Sequence, residues 1–389
     1  MPQEETLEIA RKKSSLFIGV PRETSFQENR ISLTPEAVSL LVNNGHRIVI
    51  ERNAGKAANF QDTDYSEAGA MIANGPEEVY KADVVMKVEP MTTEEIEFLN
   101  RGQTVFSALQ LSIQPQDYIK KLLSKKITAI ALDNIQDRHE KYPVIRSMGE
   151  IAGNTAILIA AELLSNVNQG KGLMLGGVAG IPPTEVLILG AGTVGIFAAR
   201  SALGLGATVK IFDKSLYKLS RIQNDLGLRL FTCFMQPEAL RAALKTADVV
   251  IGAIRGIDKR TPCIVSEEMI KDMKFGSVVI DVSIDQGGCF ETSKVTNHNN
   301  PVFTKHGVIH YGVPNITSRV ARTASYALSN ILTPILIDFG VCGGLDGLLK
   351  TNRGVRNGVY LYKGILTNKM LGEYLNLPYK DIDLLMAAL

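Results

Sequence analysis

The chain has 389 residues, 45% of them hydrophobic and 21% charged, enough apolar material for two or three buried cores at roughly 150 residues per domain. A net charge of +2, from 42 basic and 40 acidic side chains, excludes the strongly basic footprint of a nucleic-acid binder. The longest apolar runs, residues 156–164 and 331–337, are interrupted by Glu162 and Pro334, and neither would span a bilayer.

Residues 1–15 mix Glu4, Glu5, Glu8, Arg11, Lys12 and Lys13, lack the apolar stretch of a signal peptide, and are expected to form a loose lead-in. Strand 16–20 then runs into Pro21-Arg22-Glu23 and a polar loop holding Gln27-Glu28-Asn29-Arg30. Thr34-Pro35-Glu36 starts a helix, with Thr34 as N-cap and Pro35 in the first turn, and Asn44-Gly45 stops it. Strand 47–51, helix 64–70, strand 84–88, helix 94–99, strand 104–108, helix 115–124 and strand 128–131 follow. Such alternation implies a parallel sheet covered by helices. A long helix at 147–166 leads through glycine-rich residues 170–180 to a βαβ unit at 185–213, and further strands are expected at 249–253, 277–281 and 308–311. A last long helix, 320–338, is expected to cross back onto the first domain.

The fold class read from this order is α/β, with two doubly wound, Rossmann-like parallel sheets. Residues 1–140 plus 315–389 form a discontinuous substrate domain, and residues 141–314 form a nucleotide-binding domain. Cys233, Cys263, Cys289 and Cys342 have neither CxxC nor metal-ligand spacing and read as reduced thiols of a cytosolic protein. No metal cluster is expected.

The stretch 185–213, EVLILGAGTVGIFAARSALGLGATVKIFD, carries the most specific chemistry. Gly190 permits a tight turn, Gly192 lets a pyrophosphate approach the backbone, and Gly195 lets helix and strand pack closely. Thr193, Val194 and Gly195 open a helix whose N-terminal N–H groups and partial positive charge suit phosphates. Asp213, at the tip of the second strand, suits two ribose hydroxyls and argues for NAD over NADP, with Lys214 and Lys218 pulling the other way. A structural turn followed by a solvated strand-end Asp is the bland alternative.

Ligands bind beyond the carboxyl ends of strands in open α/β sheets, which selects Arg30, Lys87 and Gln110 in the first domain and Asp281, Asp285 and Asn315 in the second. Two such domains facing each other would hold NAD on one wall of a cleft and a small substrate on the other. Arg30 is either a bidentate clamp for a carboxylate or an unpaired loop arginine. Lys87 either polarises a carbonyl or imine, or acts as a base, or simply snorkels from a strand end. Asp285, before Gly287-Gly288, is either a group at the nicotinamide end or a turn former. His310 reads equally as a packed core histidine.

Three segments carry a resemblance beyond these motifs: residues 18–55 (IGVPRETSFQENRISLTPEAVSLLVNNGHRIVIERNAG), 173–195 (LMLGGVAGIPPTEVLILGAGTVG) and 280–293 (IDVSIDQGGCFETS). Here the chain resembles the alanine dehydrogenase and NAD(P) transhydrogenase alpha-subunit family, on the dehydrogenase branch, from residue 16 onward. The resemblance implies that Arg30 and Lys87 hold the substrate carboxylate and carbonyl or imine, and that Asp285 helps proton transfer near the nicotinamide. It implies cofactor contacts at Gly190, Gly192, Gly195, Asp213, Lys218 and Asn315. The implied reaction is reversible NAD-dependent deamination of L-alanine to pyruvate and ammonium, by a cytoplasmic homo-oligomer, typically a hexamer with dimer and trimer as alternatives, with no membrane or nucleic-acid partner.

Three positions depart from the family. Gln110 stands where a catalytic histidine is usual, and glutamine has no titratable group near neutrality. Gly149 stands where a serine commonly contacts cofactor phosphate, and Gly312 where a cysteine is usual. The alternatives are a dehydrogenase for another small amino acid, or an NAD(H)-binding regulatory or transhydrogenase-like subunit with little turnover.

Overall fold

The computed structural model describes residues 14–110, 114–256 and 260–388, so most of the expected lead-in lies outside the described residues. The chain divides into two compact units, one made of residues up to Ile145 together with those from Ala321 onward, the other Arg146–Val320. The first unit is therefore discontinuous.

In chain order the strands are β1 (Phe17–Val20), β2 (Arg47–Glu51), β3 (Met71–Ala73), β4 (Val84–Met86), β5 (Thr104–Ser107) and β6 (Thr128–Ala131). The second unit adds β7 (Glu185–Leu189), β8 (Thr208–Asp213), β9 (Phe231–Phe234), β10 (Val249–Gly252), β11 (Val278–Asp281), β12 (Val302–Lys305) and β13 (Val308–Tyr311). The chain closes with β14 (Val359–Tyr362) and β15 (Ile365–Leu366).

In the first unit the sheet order is β15-β14-β6-β5-β4-β1-β2-β3, parallel from β6 to β3. Strands β14 and β15 join antiparallel at one edge, which the alternation of strands and helices does not foretell. From β1 the chain winds outward through β2 and β3, then returns to the other side of β1 with β4. The point of reversal lies between β1 and β4, so a crevice is expected beyond their carboxyl ends. Those ends lead to the loop carrying Glu23 and Arg30 and to Lys87.

The second sheet repeats this logic in the order β12-β13-β11-β10-β7-β8-β9, with only β12 antiparallel. Its reversal lies between β7 and β10. Val186 and Ile188 of β7 pack with Ala156, Ala160 and Ala198 on one face. Leu187 and Leu189 pack with Leu240, Leu244 and Ile270 on the other. Burial on both faces is why these strands read as continuous apolar runs instead of alternating ones.

Helix Pro35–Asn43 starts as the sequence predicts, with the Thr34 hydroxyl accepting from the Ala37 N–H. The expected helix at 147–166 spans Pro143–Leu164, and the one at 320–338 spans Ala321–Val341. Among the described residues one segment, Ile316–Val341, is long and apolar enough to cross a membrane. Within that helix Ala324, Ser325, Leu328, Ser329, Leu332 and Leu336 are buried, at the spacing of one packed face.

Candidate functional site

At the carboxyl end of β7 the backbone turns at Gly190 with φ of 110°, a conformation that favours glycine. A Cβ there would stand 2.4 Å from the Ala253 carbonyl oxygen beyond β10. A Cβ at Gly195 would collide with the Gly190 carbonyl, so only glycine allows helix Thr193–Gly204 to seat so close to the strand. Gly192 differs: a Cβ there meets nothing within 4 Å. Its lack of a side chain leaves open space in front of the helix N-terminus, which no side-chain cap covers. Thr193, Val194 and Gly195 form the first turn, whose N–H groups have no partner within the helix. This opening fits a dinucleotide pyrophosphate.

Asp213 ends β8 and is 6% exposed. Its carboxylate accepts from the Ala191 N–H at 2.7 Å and the Ser215 N–H at 2.8 Å, tying the glycine turn to the second strand. Lys218 lies exposed in the first turn of helix Leu216–Leu226. Gly149, on helix Pro143–Leu164, faces Thr193: a Cβ there would stand 3.4 Å from the Thr193 methyl, an ordinary contact. A Cβ at Gly312 would stand 2.3 Å from the Lys294 carbonyl oxygen, so a cysteine would not fit this backbone as it stands.

At the end of β11, buried Asp281 accepts from the Ser283 and Cys289 N–H groups at 3.0 Å each and from the Ser293 hydroxyl at 2.6 Å. It organises the loop presenting Asp285, which sits in the short turn Ile284–Gln286 before Gly287 at φ 99°. Desolvation by the surrounding loop, with Asp281 adding to it, raises the Asp285 pKa against its own backbone N–H and Arg255. Asn315 takes a left-handed φ of 57° and accepts from the Thr317 hydroxyl at 3.1 Å. His310 is a core histidine: its Nδ1 lies 3.0 Å from the Val308 carbonyl oxygen and its Nε2 2.8 Å from the Thr292 hydroxyl. Burial lowers its pKa.

In the first unit the structure gathers Arg30, Lys87 and Gln110 with four glutamates. Lys87 is 0% exposed; its ammonium donates to both oxygens of Glu95, at 2.8 and 3.0 Å, and lies 3.6 Å from Glu23. Glu95 is in turn held by the Thr92 N–H at 2.7 Å through a capping box. Glu23 accepts from the Val88 N–H at 2.6 Å, and burial pushes its pKa up to about 7 against the opposing pull of Lys87. Arg30, 8% exposed, pairs with Glu28 at 2.5 Å and Glu89 at 3.0 Å. Burial works against its charge, and the Glu28 and Glu89 carboxylates outweigh it, raising its pKa. Glu89 also accepts from the Gln110 amide at 3.3 Å. Gln110 is exposed, with φ of 45°.

What fixes Arg30 comes from the far end of the chain. The Ile31 N–H donates to the Ser325 hydroxyl at 2.9 Å and the Thr34 N–H to the Ser329 hydroxyl at 3.1 Å, both on helix Ala321–Val341. The Ser32 hydroxyl donates to the Met86 carbonyl at the end of β4. Neither an unpaired Arg30 nor a snorkelling Lys87 describes these side chains. Glu23, Glu28, Glu89 and Glu95 are not among the candidates that strand-end position selects, although a buried Arg and Lys need counter-charges and carboxylates in polar loops or at strand ends are the available signal.

Comparison with known proteins identifies the family. The family model for the alanine dehydrogenase/PNT N-terminal domain matches residues 19–152, and that for the C-terminal domain matches residues 156–369. The chain belongs to the alanine dehydrogenase/PNT family. It is 38% identical over 367 residues to alanine dehydrogenase 2 of Staphylococcus aureus (strain USA300), covering 94% of this chain and 98% of that one. It is 38% identical to the alanine dehydrogenase of Staphylococcus saprophyticus, over 95% of this chain and 99% of the relative. A solved L-alanine dehydrogenase superposes with TM-score 0.88 at 34% identity, covering 93% of this chain and 99% of that one. The transhydrogenase of Sinorhizobium meliloti shares the fold, with TM-score 0.78 at 23% identity over 91% of this chain and 99% of that one. Both units of the chain thus lie within one alanine dehydrogenase/PNT frame.

Proposed function

We propose that the protein catalyses reversible NAD-dependent oxidative deamination of L-alanine: L-alanine + NAD⁺ + H₂O gives pyruvate + ammonium + NADH + H⁺. The observation that carries this reading is the 38% identity to alanine dehydrogenases over nearly the whole of both chains.

In this reading NAD is the cofactor and, when bound, accepts the hydride from the amino-acid α-carbon. Gly190, Gly192, Gly195, Thr193 and Val194 receive the pyrophosphate at the opening left by Gly192. Asp213 offers its carboxylate to the ribose, with Lys218 beside the adenosine end and Gly149 lining the approach to Thr193. Asn315 and Asp285 attend the nicotinamide end. Arg30 holds the substrate carboxylate, and Lys87 polarises the carbonyl or imine so that water adds to the imine carbon. Collapse of the carbinolamine needs a proton moved to the leaving nitrogen, a step to which general acid–base catalysis contributes roughly 10²–10⁴-fold. Gln110 orients the carbonyl or water but carries no such proton, so the work falls to Lys87 or Asp285.

The reading includes a cytoplasmic homo-oligomer. Exposed Met174, Val178 and Ile181 form an apolar stretch that supports self-association, and light scattering on purified protein measures the state.

A second reading is favoured by Gln110 and by the carboxylates already on Arg30: an NAD(H)-binding subunit with little turnover. A panel of small L-amino acids assayed with NAD, beside Gln110→His, separates the two. A gain of at least tenfold with alanine in Gln110→His marks an alanine enzyme whose proton group has changed. NADH binding without turnover in either protein favours the second reading.

A further inference from the structure

The Arg30–Glu89 ion pair has a consequence that rests on the proposed role of Arg30. A guanidinium recognises a carboxylate through paired N–H donors. Here Nη2 of Arg30 already donates to Oε1 of Glu89 at 3.0 Å, while Glu28 takes Nε and Nη2 from the other side. Glu28 is anchored: it lies in the Arg30 loop, accepts the Arg30 N–H as well, and its side chain is 1% exposed. Glu89 is the looser of the two. Its side chain is 18% exposed, and it reaches Arg30 from the turn after β4 with the exposed Gln110 amide on its second oxygen.

We propose that Glu89 is a specificity-determining competitor: its carboxylate stands where a substrate carboxylate would meet Arg30, and it must leave the guanidinium, swinging toward Gln110, before an anionic substrate binds.

Two things follow. A substrate carboxylate binds only at the expense of a pair that the chain itself supplies, so affinity for small monocarboxylates is weakened by an intramolecular rival. A second consequence is linkage to protons. Burial pushes the Glu89 pKa up to about 7, with Arg30 and Lys87 opposing and Glu28 adding to the rise. Protonation removes the rival charge from Arg30, so carboxylates bind more tightly as pH falls through neutrality. Glu23, next along through Lys87, titrates in the same range and contributes a residual slope.

The test uses pyruvate as probe, titrated calorimetrically into the full-length protein in the presence of NADH at about pH 6 and pH 8, with wild type, Glu89→Gln and Glu89→Asp. Glu89→Gln is expected to tighten pyruvate binding by about tenfold at pH 8 and to flatten most of the pH dependence. Glu89→Asp, which keeps the charge and shortens the reach, is expected to give a smaller gain of the same sign. Equal or weaker binding in Glu89→Gln overturns the proposal, as does a gain in Glu89→Gln with none in Glu89→Asp, which would mean a field effect without direct rivalry. Pyruvate binding by neither wild type nor Glu89→Gln, with NADH still bound, overturns the reading of Arg30 as well. Retained NADH binding and a single cooperative thermal transition in all three proteins verify that the variants fold.

Discussion

The hydroxyl of Ser325 accepts the Ile31 backbone N–H at 2.9 Å across 294 residues of sequence, and this contact fixes the loop that carries Arg30. A buried donor left without a partner costs about 1–3 kcal/mol. Ser325→Ala is expected to destabilise the first unit by that amount in a urea titration and to raise KM for the amino acid more than it lowers kcat. An unchanged unfolding midpoint would mean that the loop is held by other contacts.

Lys87 lies buried between Glu95 and Glu23, so its removal strands two carboxylates. Breaking a buried ion pair from one side costs about 3–5 kcal/mol. Lys87→Met is therefore expected to lose both activity and stability, and the loss of stability should be smaller in mild acid, where Glu23 takes up a proton. The double variant Lys87→Met/Glu95→Gln should recover much of the stability and none of the turnover. Calorimetric melting and the rate assay measure the two effects separately.

The raised pKa of Glu23 makes stability depend on pH with a definite sign. A carboxyl bound to its proton more tightly when folded stabilises the fold fully below its unfolded pKa and loses that contribution as pH rises through its folded pKa. For Glu23 the window runs from 4.5 to about 7, and by pH 8 the contribution lost is on the order of 3 kcal/mol. Glu23→Gln should show a shallower fall in unfolding free energy between pH 5 and pH 8 than the wild type. Parallel curves would contradict this.

The glycine turn allows fold and cofactor binding to be pulled apart. Gly192→Ala adds a methyl to open space, so its melting curve should match the wild type while NADH affinity falls by about tenfold or more. Gly195→Ala drives a Cβ into the Gly190 carbonyl and should impair folding. Gly149→Ser meets only ordinary contacts at Thr193 and should fold normally, with NADH bound at least as tightly. Fluorescence titration of NADH measures all three.

Much of this was legible in the sequence because it is local. The GAGTVG turn, Thr34 as a cap and the apolar strands of the second sheet are each written within a few neighbouring residues. The edges were not. Strand β12 has only two apolar residues, none of them buried, β15 has two residues, and both pair antiparallel, so neither carries the apolar run that marks a buried parallel strand. The contact between Ile31 and Ser325 depends on a helix returning from the far end of the chain, and that between Lys87 and Glu23 on which strand ends meet at a point of reversal; no short-range pattern records either. Position beyond a strand end singles out Gln110 and Arg30 as candidates; the carboxylates around them needed the fold.

Alanine-dependent reduction of NAD is read directly from the absorbance of NADH in a mixture of purified protein, NAD and L-alanine. The expected result is a steady rate that needs both alanine and enzyme, and that disappears in Arg30→Met while NADH binding survives. Tight NADH binding with no NADH formed from L-alanine or any other small L-amino acid would contradict it.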